Sequence, residues 1–166
     1  GVNTGMVSYV LNHAWVYGTQ TAVNDGDQLG LFVYANTIEY SDLYTWFDET
    51  TYKTDVNAEN SFTVNGLSVM NSGPDSPVTA APANATVTVY DENGNVAEAL
   101  GTKTDEHGQF KVTFPKDGKY TIEVSGTCTY TCSGYGGSGM NTYKDATVVP
   151  TRCTVLVGTA RGTLGD

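Results

Sequence analysis

Basic residues are scarce in this sequence. Lys and Arg number 8 in 166 residues against 18 Asp and Glu, which leaves a net charge of −10. Binding phosphates takes clustered Lys and Arg, so nucleic acid is excluded as a partner, and an anionic membrane surface fails on the same ground. Long apolar runs are also missing. None approaches the roughly 18 residues of a membrane-spanning helix, so no direct membrane insertion is expected. Histidine occurs only as His13 and His107. The sequence contains no G-x-S-x-G and no H-E-x-x-H, and neither histidine has a catalytic partner nearby in sequence. No nucleophile–base pair is therefore legible, and the chain is expected to be no enzyme. Disorder is excluded as well, because 39% of residues are hydrophobic, enough to build a core.

What the sequence has is Thr, Val, 11 Tyr and 19 Gly. That is poor helix material and good strand material, since a branched or flat side chain packs on a sheet while its hydroxyl stays wet. Residues 6–11, 13–17, 28–34 and 38–48 read as strands. Asp25-Gly26-Asp27 is a turn signal, and Asn65-Gly66 between 61–64 and 67–70 reads as a tight hairpin turn. Further on, 85–90, 96–100, 109–114, 119–125 and 147–157 read as strands, separated by turns at Asp91-Glu92-Asn93-Gly94-Asn95, Thr104-Asp105-Glu106-His107-Gly108 and Pro115-Lys116-Asp117-Gly118. Short strands at spacings of about 8–12 residues describe an all-β antiparallel sandwich. Asn71-Ser72-Gly73-Pro74-Asp75-Ser76-Pro77 interrupts any ladder, because proline gives no donor. The expected division is an N-terminal β unit over 1–75, a sandwich module over 76–160 and a tail over 161–166. The sequence begins at Gly1 without a signal peptide and reads as a piece of a longer exported polypeptide.

Cys128, Cys132 and Cys153 are too few, with two remote histidines, for a zinc site. One disulfide is expected from Cys153 to Cys132 or Cys128, with one thiol left over. The Cys132–Cys153 pairing would close a loop of about 20 residues. The alternative is three buried thiols. No cofactor and no metal are expected: Asp25 and Asp27, and the cluster Asp91, Glu92, Asn93 and Asn95, lack the spacing of a helix–loop–helix calcium site, and turn chemistry accounts for both. The glycine-rich stretch from Ser133 to Met140 lacks the Lys-Ser/Thr of a phosphate loop and reads as an exposed excursion carrying Tyr135.

Three stretches carry a resemblance. These are Ala85-Thr86-Val87-Thr88-Val89, Thr104-Asp105-Glu106-His107-Gly108-Gln109-Phe110, and Gly118-Lys119-Tyr120-Thr121-Ile122-Glu123-Val124-Ser125-Gly126. They resemble the bacterial immunoglobulin-like modules of surface proteins, in which a T-D-x-x-G turn precedes an inward-facing strand and G-x-Y-T-x-x-V begins the next. Prealbumin-like and carboxypeptidase-regulatory-like modules share that cadence. The stretches Asn24-Asp25-Gly26-Asp27-Gln28-Leu29-Gly30-Leu31-Phe32-Val33-Tyr34 and Tyr40-Ser41-Asp42-Leu43-Tyr44-Thr45-Trp46-Phe47-Asp48 are similar to a unit in large surface proteins of Gram-positive gut bacteria. The run from Trp15 to Tyr34 is similar to the transcobalamin-like module, where V-x-D-G-D precedes a strand. The resemblance covers about half the chain, specifies turns rather than chemistry, and supplies no catalytic residues. It implies an extracellular protein of the cell wall or cell surface, whose modules space, present or adhere and whose partners are neighbouring modules of the same polypeptide.

One segment invites a second reading. As a strand, 38–48 would set Tyr40, Asp42, Tyr44, Trp46 and Asp48 on one face and Glu39, Ser41, Leu43, Thr45 and Phe47 on the other. Flat rings beside carboxylates suit sugar recognition: rings stack on the apolar face of a pyranose while carboxylates accept its hydroxyls. A carbohydrate-binding module using that face, with a host or dietary glycan or surface protein as partner, is the alternative to a spacer. The competing structural reading puts Tyr44 and Trp46 in a core or in a seam between the halves. The spacer reading expects Trp46 buried, and the glycan reading expects it exposed in a groove.

Overall fold

The computed structural model describes residues 6–16, 21–36, 40–68, 79–133 and 139–162. The expected Pro-containing interruption at 71–77, most of the glycine-rich 133–140 with Tyr135, and the tail beyond 162 lie outside these residues.

Among the described residues the chain is all-β. One sheet holds, in order, β10 (Gln109–Thr113), β6 (Glu59–Ser68), β4 (Leu43–Phe47), β13 (Met140–Val149) and β12 (Thr127–Ser133), with the short β7 (Thr79–Ala80) sharing an edge of β6 with β10. A second sheet holds β5 (Thr51–Thr54), β14 (Thr151–Val157), β11 (Gly118–Ser125), β8 (Thr86–Tyr90) and β9 (Thr102–Lys103). Strict alternation explains why these segments pair as they do: Val87 and Val89 of β8, Phe110 and Val112 of β10, and Tyr120, Ile122 and Val124 of β11 all turn inward, and the residues between them are exposed or half-buried. The inward faces of both sheets merge in one core, which includes Leu43, Phe62, Phe114, Ile122, Val148 and Val155.

The order β10-β6-β4 against β14-β11-β8 is that of an immunoglobulin-type sandwich. A local mark agrees. Tyr120 stands near the start of β11, and its hydroxyl donates to the Lys116 carbonyl at 3.2 Å, tying the strand to the corner that precedes it. Ile122, two residues on and fully buried, fills the place where antibody domains keep a bridging cysteine.

A third sheet stands apart from the sandwich. It runs β2 (Ala14–Trp15), β1 (Met6–Leu11), β3 (Leu29–Tyr34), all antiparallel. Asn12 and His13 connect β1 to β2 with φ of 52° and 61°. Two positive values suit the tight twist of a two-residue hairpin, and Asn accepts that region more readily than most residues.

Four sequence expectations change. The boundary at 75/76 does not part the sheets, because β4, β5 and β6 bond to β13, β14 and β10 from the other side of it. The sandwich needs those strands to cover its core, so the separate N-terminal sheet ends by Tyr34. Second, the ladders are not all antiparallel: β4 runs parallel to β13, and β5 parallel to β14. These strands reach each other through the whole sandwich, so no crossover helix is required. Third, 96–100 forms a bridge at Val96 and a 3-10 turn at Glu98–Leu100 rather than a strand.

Fourth, Asn65-Gly66 is no turn. β6 passes straight through it, pairing Gly66 with Thr45 on one side and Ala80 on the other. The glycine is there for closeness: a Cβ on Gly66 would lie 2.6 Å from the Ala80 carbonyl oxygen and 2.6 Å from Leu43 Cδ2. Gly66→Ala is therefore expected to cost roughly 2–3 kcal/mol in urea unfolding, because backbone on one side and a buried leucine on the other must both shift. Wild-type stability in that variant would contradict the packing described.

Candidate functional site

β4 has two lined faces. Leu43, Thr45 and Phe47 are buried toward the sandwich core, while Tyr44 and Trp46 are half-buried on the opposite side. The three-stranded sheet lies over that opposite side. Its inward residues Val10, Phe32 and Tyr34 join Leu67 in a second buried cluster, with Trp15, Tyr44, Trp46 and Val149 packed against it.

The contacts in this seam are specific. The His13 ring stacks on Trp46 with centroids 4.5 Å apart and planes 5° from parallel. Tyr44 stacks between Trp46 at 5.6 Å and Phe32 at 5.3 Å. His13 Nδ1 is 3.3 Å from the Tyr44 hydroxyl, and Trp15 Nε1 donates to the Ser68 carbonyl at 3.1 Å. Burial in this seam lowers the pKa of His13 below its ordinary value, against a weaker opposing hydrogen bond to Gln28. Gly30 allows the approach: a Cβ there would stand 3.0 Å from the Tyr44 hydroxyl.

The five residues expected to form one aromatic–acidic row do not form one. Tyr40 precedes the strand with φ of 52°, and its ring meets Tyr34 edge-on at 6.4 Å. Asp42 is buried, 1% exposed, and accepts the backbone N–H groups of Ala35 and Asn36. Its carboxylate therefore organises the chain leaving β3 instead of facing solvent. Asp48 lies past the end of β4, exposed, and accepts Asn65 Nδ2 at 2.6 Å. Only Tyr44 and Trp46 share a face, and their rings stack on His13, Phe32 and each other. His13 and Phe32 went unnoticed in the sequence as their partners. The signal was there in β3, Leu29-Gly30-Leu31-Phe32-Val33-Tyr34, and in β1, where Ser8 alone interrupts the apolar residues; such runs are the pattern of strands covered on more than one side.

The cysteines correct another expectation. No disulfide joins Cys128, Cys132 and Cys153, all three of which are described and buried. Cys128 and Cys132 lie on β12 and Cys153 on β14, in different sheets. Each side chain fills the core as a small apolar group. Burial pushes the thiols of Cys128 and Cys153 up to about 12, so neither is a nucleophile near neutral pH.

The acidic turns are occupied by their own backbones. The Asp91 carboxylate accepts N–H groups from Asn93 and Asn95, and Asp105 those from His107 and Gln109, at 2.8–2.9 Å. Asp117 accepts the Thr159 hydroxyl and N–H, and Asp27 the side chain of Asn12 and the N–H of Asn24. These bonds hold all four carboxyls below their ordinary pKa. Lys111 is exposed and paired with Glu59 at 2.7 Å. A mixed-charge groove of about 330 Å³ lies between Tyr90, Asp91, Glu92, Lys119 and Arg152, with Arg152 bound to Glu123 at 2.6 Å.

No family model matches the sequence, and no curated protein matches it. Among solved structures, the chain is similar to the N-terminal four immunoglobulin domains of Dscam1 isoform 7.44, at 10% identity and a TM-score of 0.30. That similarity covers 92% of this chain and 38% of the other. What makes the sandwich immunoglobulin-like is its own strand order and the Tyr120 corner.

A thiol-reactive dye at pH 8 is expected to label none of the three cysteines in the native protein and all three after denaturation without reductant. One labelled thiol after denaturation would instead demonstrate a disulfide.

Proposed function

We propose that the protein is a non-catalytic spacer of an exported bacterial surface protein, a module that holds its neighbours apart under tension. The observation that carries this reading is the pair of parallel ladders. β5 lies alongside β14 over Thr51–Thr54 and Thr154–Val157, and β4 alongside β13 at Leu43 and Tyr44. Tension entering from the N-terminal side draws β4 and β5 backward, while tension from the C-terminal side draws β14 forward. Parallel strands pulled this way slide lengthwise, so their hydrogen bonds must break together rather than one after another. The acidic surface, with few lysines, keeps such a module soluble in a crowded wall. The turn carboxylates, committed to backbone N–H groups, support a structural use of the chain's charge.

The small sheet behaves differently under the same load. Met6 pairs with Tyr34, so a pull on the start of β1 and on the chain after β3 acts at one end of their ladder and unzips it. Stretching single molecules between flanking marker domains is expected to give two events. First comes a low-force release of residues 6–42, roughly 120–130 Å of extended chain, and then one abrupt rupture of the sandwich. Tyr52→Pro, which removes a donor from β5, is expected to lower the rupture force to about half or less. Smooth extension without a rupture, or equal forces in both proteins, would count against the spacer reading.

A further inference from the structure

The outward face of the three-stranded sheet is the least expected surface on the molecule. The register places Val7 opposite Val33, Tyr9 opposite Leu31 and Leu11 opposite Leu29, and all three pairs point away from the sandwich. Val7 is 58% exposed, Leu29 59%, Leu31 71% and Val33 56%. Tyr9, Leu11, Leu29 and Leu31 border, with Val23, a groove of about 320 Å³. The strands β1, β2 and β3 carry no Asp, Glu, Lys or Arg, in a protein with 26 such residues, and the first basic residue of the chain is Lys53. A strand with one wet face alternates polar with apolar. A run such as Leu29-Gly30-Leu31-Phe32-Val33-Tyr34 is the pattern of a strand covered on both faces. The sandwich covers one face through the Trp46 seam, and the other is exposed.

We propose that a second copy of this chain covers it, the two small sheets stacking face to face about a two-fold axis. Three features favour a second copy over another partner. The strands that build the face carry no charged side chain, so placing it on itself brings no like charges together at the contact. The row of pairs is also self-complementary. A two-fold axis through the central Tyr9–Leu31 pair lays the small Val7–Val33 pair of one copy on the larger Leu11–Leu29 pair of the other, as an isologous contact requires. Finally, the area fits. Such a patch offers on the order of 500 Å², near the top of what a monomer exposes, and two of them bury about 1,000 Å², the lower limit of a specific interface. Asn12, Asn24 and Asp27, bonded to one another at the turns beside the face, give it a polar rim. An interface of that size is weak, with a Kd on the order of 10–100 µM. It becomes effective where many copies are held on one surface and meet at high local concentration.

Sedimentation equilibrium across loading concentrations from about ten times below to ten times above that Kd tests the proposal. The wild type is expected to show a reversible monomer–dimer equilibrium. Leu31→Lys and Val33→Lys are each expected to weaken it at least tenfold. Both side chains are largely exposed in the monomer, so the thermal midpoint should stay close to wild type. Thr102→Lys, on β9 of the sandwich, is expected to dimerise normally. A wild type that stays monomeric throughout would overturn the proposal, as would a dimer indifferent to both substitutions on β3. Monomeric protein that binds neutral phosphatidylcholine vesicles through this face would also overturn it, assigning the face to lipid. None of these results bears on the rupture force, so the spacer reading stands or falls separately.

Discussion

Leu43, Thr45 and Phe47 point from β4 into the sandwich while Tyr44 and Trp46 point out of it, and both sides are covered. A five-residue strand with a core on each face fixes three sheets at once. Inward, it closes the immunoglobulin-type core beside β6 and β13. Outward, its two rings receive His13 and Phe32 and hold the N-terminal sheet against the sandwich. Two-sided burial also sets register, because a slip of one residue would exchange Tyr44 and Trp46 for Leu43, Thr45 and Phe47 and ruin both clusters.

The seam packs partly exposed rings of Trp15, Tyr44 and Trp46, whereas the sandwich core is a closed mixture of aliphatic and aromatic side chains, which gives the two layers different stability. Val10, Tyr34 and Leu67 are fully buried in the seam, but the cluster is small beside the twenty-odd residues of the main core. A three-stranded sheet of short strands is marginal by itself, so this one depends on its seat. The sandwich does not depend on it in return: its core is closed by residues from Leu43 onward. Tension, or loss of one ring, therefore acts on the small sheet first and leaves in place the consecutive strands β4–β5 and β13–β14, which pass from one sheet of the sandwich to the other.

The part of the fold that local patterning controls was legible in the sequence. β8, β10 and β11 alternate strictly, their turns carry Asp or Gly where a carboxylate caps backbone or φ is positive, and the strands lie within a residue of where alternation places them. Pairings between distant segments were not legible, because nothing local marks β5 as the partner of β14 or β4 as that of β13. Asn65-Gly66 misled because a glycine required for close approach looks the same as one required for a turn. Tyr44 and Trp46 left two readings open, a seam or a sugar platform, because half-buried rings on one strand face look alike whether a sugar or a sheet lies over them. The three cysteines suggested a bridge by spacing, yet they occupy the core as thiols from two sheets.

The claim that β4 seats the N-terminal sheet through its outer face is tested most directly by native-state amide exchange on Trp46→Ala. The account predicts that amides of β1 and β3 lose protection by at least about tenfold, a change of roughly 1.4 kcal/mol, while those of β11 and β14 keep theirs. Unchanged protection in β1 and β3 would contradict it, since the sheet would then be held by something other than the ring beneath His13. Equal loss across all three sheets would contradict it too, because the sandwich would then lean on the seam as much as the seam leans on the sandwich.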